Sequence, residues 1–157
     1  MPNTPVAVGQ GVVLYHASEQ VSQEQVDKFL QLMEKAGGLY PLEESLMDVG
    51  AAVSGCGPAY AYLVLDAMAD GGVACGLPAP MRCALPRKPS GASQIVADTG
   101  KHPDQLKNEV CSPGGSTIQG VRTLEQRAVR AAMMDAVITL ATKTQPLASK
   151  TPCQTIF

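Results

Sequence analysis

The sequence predicts a mainly α-helical chain that opens with a short strand–helix–strand segment. Three observations predict it. From Ser45 onward, apolar residues recur at helical spacing almost to the end of the chain. The only runs of strand-like composition, Gly11-Val12-Val13-Leu14-Tyr15 and Leu39-Tyr40-Pro41-Leu42, flank a single amphipathic helix near the start. The chain has 157 residues, 45% of them hydrophobic and 17% charged, which suits one domain with a fragment of another.

Met1 to Pro5 is punctuated by prolines and reads as extended. The strand Gly11–Tyr15 follows. Ser22-Gln23-Glu24-Gln25 has the spacing of a capping box, with Val21 and Val26 placed as a hydrophobic staple. Val26, Phe29, Leu30 and Met33 then fall on one helical face, and Gly37-Gly38 stops that helix. The second strand belongs at a sheet edge, because Pro41 cannot donate to a ladder. Two strands around one helix do not make a stable sheet, so this segment reads as the tail of a larger one.

A helix is expected from near Ser45, with Glu44 and Asp48 suited to its first turn. Ser54-Gly55-Cys56-Gly57-Pro58 interrupts it. Tyr60, Leu63, Val64, Ala67 and Met68 give the next helix an apolar face, with Asp66 and Asp70 on the other side. That face serves equally as an intramolecular core or as an interface. Pro78, Pro80, Pro86 and Pro89 crowd the following stretch, and Pro86 and Pro89 would each cost about 3 kcal/mol inside a helix. Ser93–Thr99 returns to helix, ending at Gly100. His102 to Val110 forms another short one, with His102 in a local hydrogen bond. The last helix is expected over Val121–Ala141, with Val129, Met133, Ala136, Val137, Leu140 and Ala141 on one face and Arg122, Glu125, Arg127 and Arg130 in solvent. Gln145-Pro146 ends it, and 146–157 is a loose tail.

The formal charge of −2, with Lys and Arg scattered, argues against a nucleic-acid partner. No 18-residue apolar run and no basic-then-apolar leader appear, so a membrane partner is not expected. Five cysteines without a C-x-x-C pair, and two distant histidines, predict reduced thiols and no metal site. Cys111 is the thiol placed for reactivity, although a small packing residue explains it as well.

The densest chemistry lies in Val110-Cys111-Ser112-Pro113-Gly114-Gly115-Ser116-Thr117-Ile118-Gln119-Gly120. Adjacent glycines let the backbone turn sharply, and the free N–H groups at a helix start favour an anion. The hydroxyls of Ser112, Ser116 and Thr117 would add oriented hydrogen bonds to a carboxylate or phosphate. A plain N-cap accounts for such hydroxyls too. Both readings are open at the level of residue types.

The order of residues goes further. This segment, through Val121-Arg122-Thr123-Leu124-Glu125, closely resembles the diagnostic segment of pyrroline-5-carboxylate reductases. Four more stretches match in the same order: Met1-Pro2-Asn3-Thr4-Pro5, Ser54-Gly55-Cys56-Gly57-Pro58-Ala59-Tyr60, Asp66-Ala67-Met68-Ala69-Asp70-Gly71-Gly72-Val73, and His102-Pro103-Asp104-Gln105-Leu106-Lys107. The resemblance covers about residues 1 to 142.

The resemblance implies a helical dimerisation domain like the C-terminal domain of 6-phosphogluconate dehydrogenase, over 45–145. Residues 1–44 would be the closing part of a Rossmann-type nucleotide-binding domain. It implies NADPH or NADH as cofactor, 1-pyrroline-5-carboxylate as substrate and L-proline as product. It also implies a homodimer or higher homo-oligomer, interlocked through the Tyr60–Met68 face, and a cytoplasmic location. Carried over by motif, Ser112, Gly114, Gly115, Ser116 and Thr117 bind the substrate. The N–H groups of Gly115 and Ser116 and the Ser112 hydroxyl hold its carboxylate. Thr117 is the catalytic candidate, near the ring nitrogen, and Asn3 lies near the cofactor.

Three departures stand out. Gly9-Gln10-Gly11 lacks the third glycine of a dinucleotide loop, so the chain reads as a fragment or as a gene begun at an internal methionine. Pro86 to Ser90 replaces a continuous helix and reads as a compensated frameshift. Arg127-Ala128 stands where the family usually has two glycines. A catalytically silent dimerisation module is the alternative reading, and a phosphate-binding helical domain a third.

Overall fold

A computed structural model describes residues 1–82, 84–85 and 91–148. The proposed frameshift at Pro86–Ser90, Cys83, Cys153 and all but the start of the expected tail lie outside the described residues. The chain forms two compact units, one of Met1–Tyr60 with the chain from Met133 on, the other of Ala61–Ala132.

In the first unit, Pro2 bridges antiparallel to Val13. Instead of staying extended, the chain turns at Thr4–Val8 into a 3-10 helix. The reason is local: Pro5 presets a helical φ, and Gly9, at φ +70, closes the turn by donating to the Pro5 and Val6 carbonyls. Strand β1 then spans Gly11–Tyr15, as expected. Helix α1 spans Gln23–Met33 and starts on the predicted capping box: Ser22 Oγ accepts from Gln25 N at 3.4 Å and Gln25 Oε1 from Ser22 N at 2.9 Å. Tyr15 and Phe29 bring α1 to β1, ring centroids 5.5 Å apart.

A 3-10 turn, Glu34–Ala36, carries the chain into β2, Gly37–Pro41, which runs parallel to β1. Gly37 and Gly38 therefore open a strand as well as ending a helix. The register pairs Gly11 with Gly37, at φ +126, and a Cβ there would strike the Gly11 backbone. The two strands start as a pair only because neither residue has a side chain.

After a 3-10 turn at Glu44–Leu46, helix α2 spans Met47–Ser54. Gly50 lets it approach the strands, since a Cβ there would sit 2.6 Å from Leu14 Cδ1 and 2.7 Å from Leu42 Cδ2. Val13, Leu14 and Ala52 are buried in this unit. Helix α3, Gly57–Ala74, restarts after Gly55-Cys56, as the interruption predicted.

The second unit takes up the rest of α3 and then α4 (Ala79–Arg82), α5 (Gly91–Thr99), α6 (Pro103–Glu109) and α7 (Ser116–Gln126). Arg82 pairs with Asp70 at 2.7 Å and Asp66 at 3.3 Å, joining α4 to α3. Among the described residues only Ala69 is buried here, while Tyr62, Leu63, Met68, Ile95 and Leu124 are exposed.

Helix α8 spans Val129–Ala148. The single helix expected over Val121–Ala141 is thus two, broken at Arg127-Ala128, and the first begins at Ser116. Ala128, at φ +54, cannot continue a right-handed helix. Helix α8 also runs past Pro146 to Ala148. A proline removes only the bond of its own nitrogen, so near a helix end one further turn remains possible. On α8, Val129, Ala136, Val137, Leu140 and Ala141 are half-buried as the pattern predicted, whereas Met133 is exposed.

Candidate functional site

The glycine loop joins α6 to α7 within the second unit. Ser112–Gly115 is a β-turn, Gly115 N donating to Ser112 O at 3.0 Å. Pro113 presets φ at the second position and Gly114, at φ +69, supplies the positive φ that a type II turn needs at the third. Gly115 follows in an extended conformation and is the N-cap of α7, with no side-chain hydrogen bond to the helix.

This placement corrects the N-cap reading of the hydroxyls. Ser116 and Thr117 are the first two residues of α7, and the cap position is held by a glycine that has nothing to offer. The first-turn N–H groups of α7 therefore lack the side-chain partner that helices commonly supply themselves. Ser116 and Thr117 are exposed and Gly115 half-buried. Ser112 folds back over the loop: a Cβ on Gly115 would strike Ser112 Oγ and lie 3.1 Å from Ser112 O. One short segment thus brings together Ser112, Gly114, Gly115, Ser116 and Thr117. Cys111, half-buried, donates its N–H to Asn108 O at 3.1 Å on the way into the loop.

Helix α6 sets the loop's other side. His102 Nδ1 accepts from Asp104 N at 3.2 Å and caps the helix, the local bond expected of it. A cleft of about 780 Å³ is lined by His102, Asp104, Gln105, Asn108, Glu109 and Arg130. Lys107 bonds Asp104 at 2.6 Å and holds its carboxyl below the ordinary value. Lys101, 2.9 Å from Glu109, does the same for that carboxyl. Arg130, 2.7 Å from Glu125, lowers Glu125 and is itself raised by it. The sequence reading missed these pairs. The Asp104–Lys107 spacing was a usable signal, but Glu125 and Arg130 meet only because the helix breaks between them.

Asn3 lies in the first unit. Its Oδ1 accepts from Val12 N at 2.9 Å and its Nδ2 donates to Ser54 O at 2.9 Å, so its amide ties β1 to the end of α2. Gly9-Gln10-Gly11 does not fit a dinucleotide. Gly11 is pressed against Val6 and the Ala36 carbonyl and leads into β1, so no N–H nest opens at a helix start for a pyrophosphate. Among the described residues, no group of three His, Cys, Asp or Glu could hold a metal ion, and no helix is long and apolar enough to cross a membrane.

A family model described as pyrroline-5-carboxylate reductase dimerisation matches residues 44–147. The chain belongs to the pyrroline-5-carboxylate reductase family. It is 42% identical over 148 residues to the pyrroline-5-carboxylate reductase of Glycine max, covering 94% of this chain and 54% of that protein. The Synechocystis enzyme is 39% identical over 151 residues, covering 96% and 57%. Among solved structures, the Plasmodium falciparum pyrroline carboxylate reductase with NADP bound superposes with a TM-score of 0.85 at 32% identity, covering 93% of this chain and 60% of that one. The Coxiella burnetii reductase gives 0.88 at 30%, covering 94% and 55%. The chain spans about half the length of the curated relatives it matches. The mainly α class is the one expected for this family's dimerisation region, and the short parallel strand pair, Gly11–Tyr15 with Gly37–Pro41, lies ahead of the matched residues.

Proposed function

We propose that this chain is the substrate-binding and dimerisation part of an NADPH- or NADH-dependent pyrroline-5-carboxylate reductase, which forms L-proline from 1-pyrroline-5-carboxylate in the cytoplasm. The observation that carries the reading is the uncapped start of α7 behind Gly115. The N–H group of Ser116 and the Ser112 hydroxyl receive the substrate carboxylate, while the Gly115 N–H, expected to share that role, is held by Ser112 O in the turn that Gly114 sets. An anion at this place completes unsatisfied donors and lies at the favourable end of the helix dipole. Thr117, one residue into the helix, turns its hydroxyl toward the ring nitrogen. A threonine hydroxyl is a weak acid, so it orients the ring rather than driving proton transfer alone.

Residues 45–145 form the dimerisation and substrate domain, 1–44 the end of a nucleotide-binding domain and 146–157 its trailing segment. Asn3 is assigned to the cofactor side, through whichever of its amide valences the bonds to Val12 and Ser54 leave over. Homodimerisation is supported by the exposed apolar side chains of α3, Tyr62 at 60%, Leu63 at 69% and Met68 at 49%. Among the described residues Gly9-Gln10-Gly11 does not fit a dinucleotide, and a dimerisation module without catalysis of its own is the second reading.

Calorimetric titration with L-proline, paired with NADPH- and NADH-linked assays of the purified chain, tests both readings. Binding that is lost in Thr117→Ala and Ser112→Ala, with or without turnover, supports the substrate site. Turnover establishes the reductase in this chain. Binding without turnover fits a reductase part and a silent module alike, and no binding rejects the loop assignment.

A further inference from the structure

We propose that Arg130 is a positioning residue for the glycine loop, reaching from the first turn of α8 to Glu125 of α7 and facing α6 across the cleft. The inference rests on the loop being a carboxylate seat. It concerns what holds that seat in shape.

The chain leaves α6 at Glu109, makes the Ser112–Gly115 turn, runs along α7 and bends at Ala128. The type II turn of proline and glycine sets a local reversal and leaves the angle between α6 and α7 to side chains outside it. The bend brings the chain back. Arg127 N and Ala128 N both donate to carbonyls of the last turn of α7, and Ala132 N donates to Ala128 O at 3.0 Å to begin α8. This elbow puts Arg130 opposite Glu125, five residues earlier, and its Nη2 meets Glu125 Oε1 at 2.7 Å. The same guanidinium lines the cleft with His102, Asp104, Gln105, Asn108 and Glu109, all on or capping α6. Its charge also acts on Asp104, adding to the larger effect of Lys107. Arg130 is therefore a side chain common to the two helices that enter and leave the loop, bonded to α7 and lining the cleft beside α6.

The side chains of Arg130 and Glu125 are 63% and 47% exposed, so their pair contributes little to overall stability. What a charge in this place does is select one α6–α7 angle among several of similar energy. The same geometry explains why a lysine would not replace it: a guanidinium offers donors along two directions, an ammonium a single point charge.

The test compares wild type, Arg130→Gln, Arg130→Lys and the exchange Glu125→Arg with Arg130→Glu. The exchange keeps an elbow pair but sets a carboxylate opposite Asp104. Amide hydrogen exchange at Gly115, whose N–H is bonded to Ser112 O, reads the turn without any ligand. Arg130→Gln is expected to speed that exchange and to weaken L-proline binding about five-fold, with Tm nearly unchanged, and the other two variants to recover neither. Unchanged Gly115 exchange in Arg130→Gln overturns the proposal. So does full recovery in the charge exchange, which would reduce Arg130 to an elbow clip. If wild type does not bind L-proline, the exchange data still decide the role of Arg130, and only the carboxylate reading falls.

Discussion

The hydroxyl of Ser112 fills the space that a side chain at Gly115 would need. Gly115 itself has φ −72, which any residue adopts, so its requirement is for room and not for backbone freedom. Gly115→Ala should push Ser112 Oγ away from the start of α7 and weaken carboxylate binding. In the double variant Gly115→Ala with Ser112→Ala, the two Cβ atoms meet at about 3.6 Å, an ordinary contact. Thermal melts should therefore show part of the stability regained in the double variant, the 3.1 Å approach to Ser112 O remaining, while titration shows binding still lost.

Gly114 has the opposite requirement. A Cβ there meets nothing within 4 Å, but its φ is +69. An L side chain in that region costs about 1–2 kcal/mol, and removing glycine's freedom in the unfolded chain returns about 0.4–1. Gly114→Ala should thus destabilise by up to about 1.6 kcal/mol in urea unfolding, and Gly114→Asn by less. Equal losses for Asn and Ala would mean that the turn is not held at positive φ.

Ala128 presents the converse. It is the non-glycine residue at positive φ among the described residues, and it sits where two helices part. The same opposing terms apply with reversed sign, and the left-handed cost is the larger. Ala128→Gly should raise stability by up to about 1.6 kcal/mol in urea unfolding. A fall would show that relief of the backbone is outweighed by freedom gained in the unfolded chain.

Much of this was legible in the residues, and the failures have physical causes. Gly11–Tyr15 and the Ser22–Gln25 capping box were readable because alternation and capping are local. The turn before α7 was readable because Pro113 and Gly114 suit the second and third positions of a type II turn, whereas residue types left the hydroxyls open between an N-cap and an anion seat. The break at Ala128 escaped because alanine is the best helix former, and neighbours on either side continue the apolar pattern without interruption. The pairing of Gly11 with Gly37 escaped because it is a contact between residues 26 apart, visible only once the strands are side by side. Asn3 looked like a ligand-facing polar residue, yet its amide is bonded inside the fold.

Acid should loosen the second unit before the ordinary carboxylate range is passed through fully. Asp104, Glu109 and Glu125 are held below their usual values by Lys107, Lys101 and Arg130 respectively. A carboxyl lowered in the folded state adds stability that is present above its unfolded value and lost as pH falls through the folded one. Urea midpoints should therefore decline on the acid side of that range and stay level from there to neutrality. All three pairs are exposed, so the decline should be small and should shrink in high salt. Lys107→Gln should remove the share of Asp104, and a pH profile identical to wild type would show that this pair does not form in solution.

Asn3 gives the last prediction, because its two bonds need different atoms. Oδ1 takes the N–H of Val12 in the middle of β1, and Nδ2 gives to the carbonyl of Ser54, the last residue of α2. Asn3 is half-buried, so each group left without a partner costs about 1–3 kcal/mol, less where water enters. Asn3→Ala strands both the Val12 donor and the Ser54 acceptor. Asn3→Asp keeps the acceptor for Val12 but sets a carboxylate oxygen against the Ser54 carbonyl, replacing attraction with repulsion. Both variants should lower the melting temperature, with Asn3→Asp recovering when its carboxyl is protonated, since the acid hydroxyl can then donate to Ser54. The pH dependence of Tm separates the two: a rise toward acid in Asn3→Asp relative to Asn3→Ala fits the bonded amide. Parallel curves would mean that the tie between β1 and α2 carries no free energy, leaving the whole of Asn3 for the cofactor side.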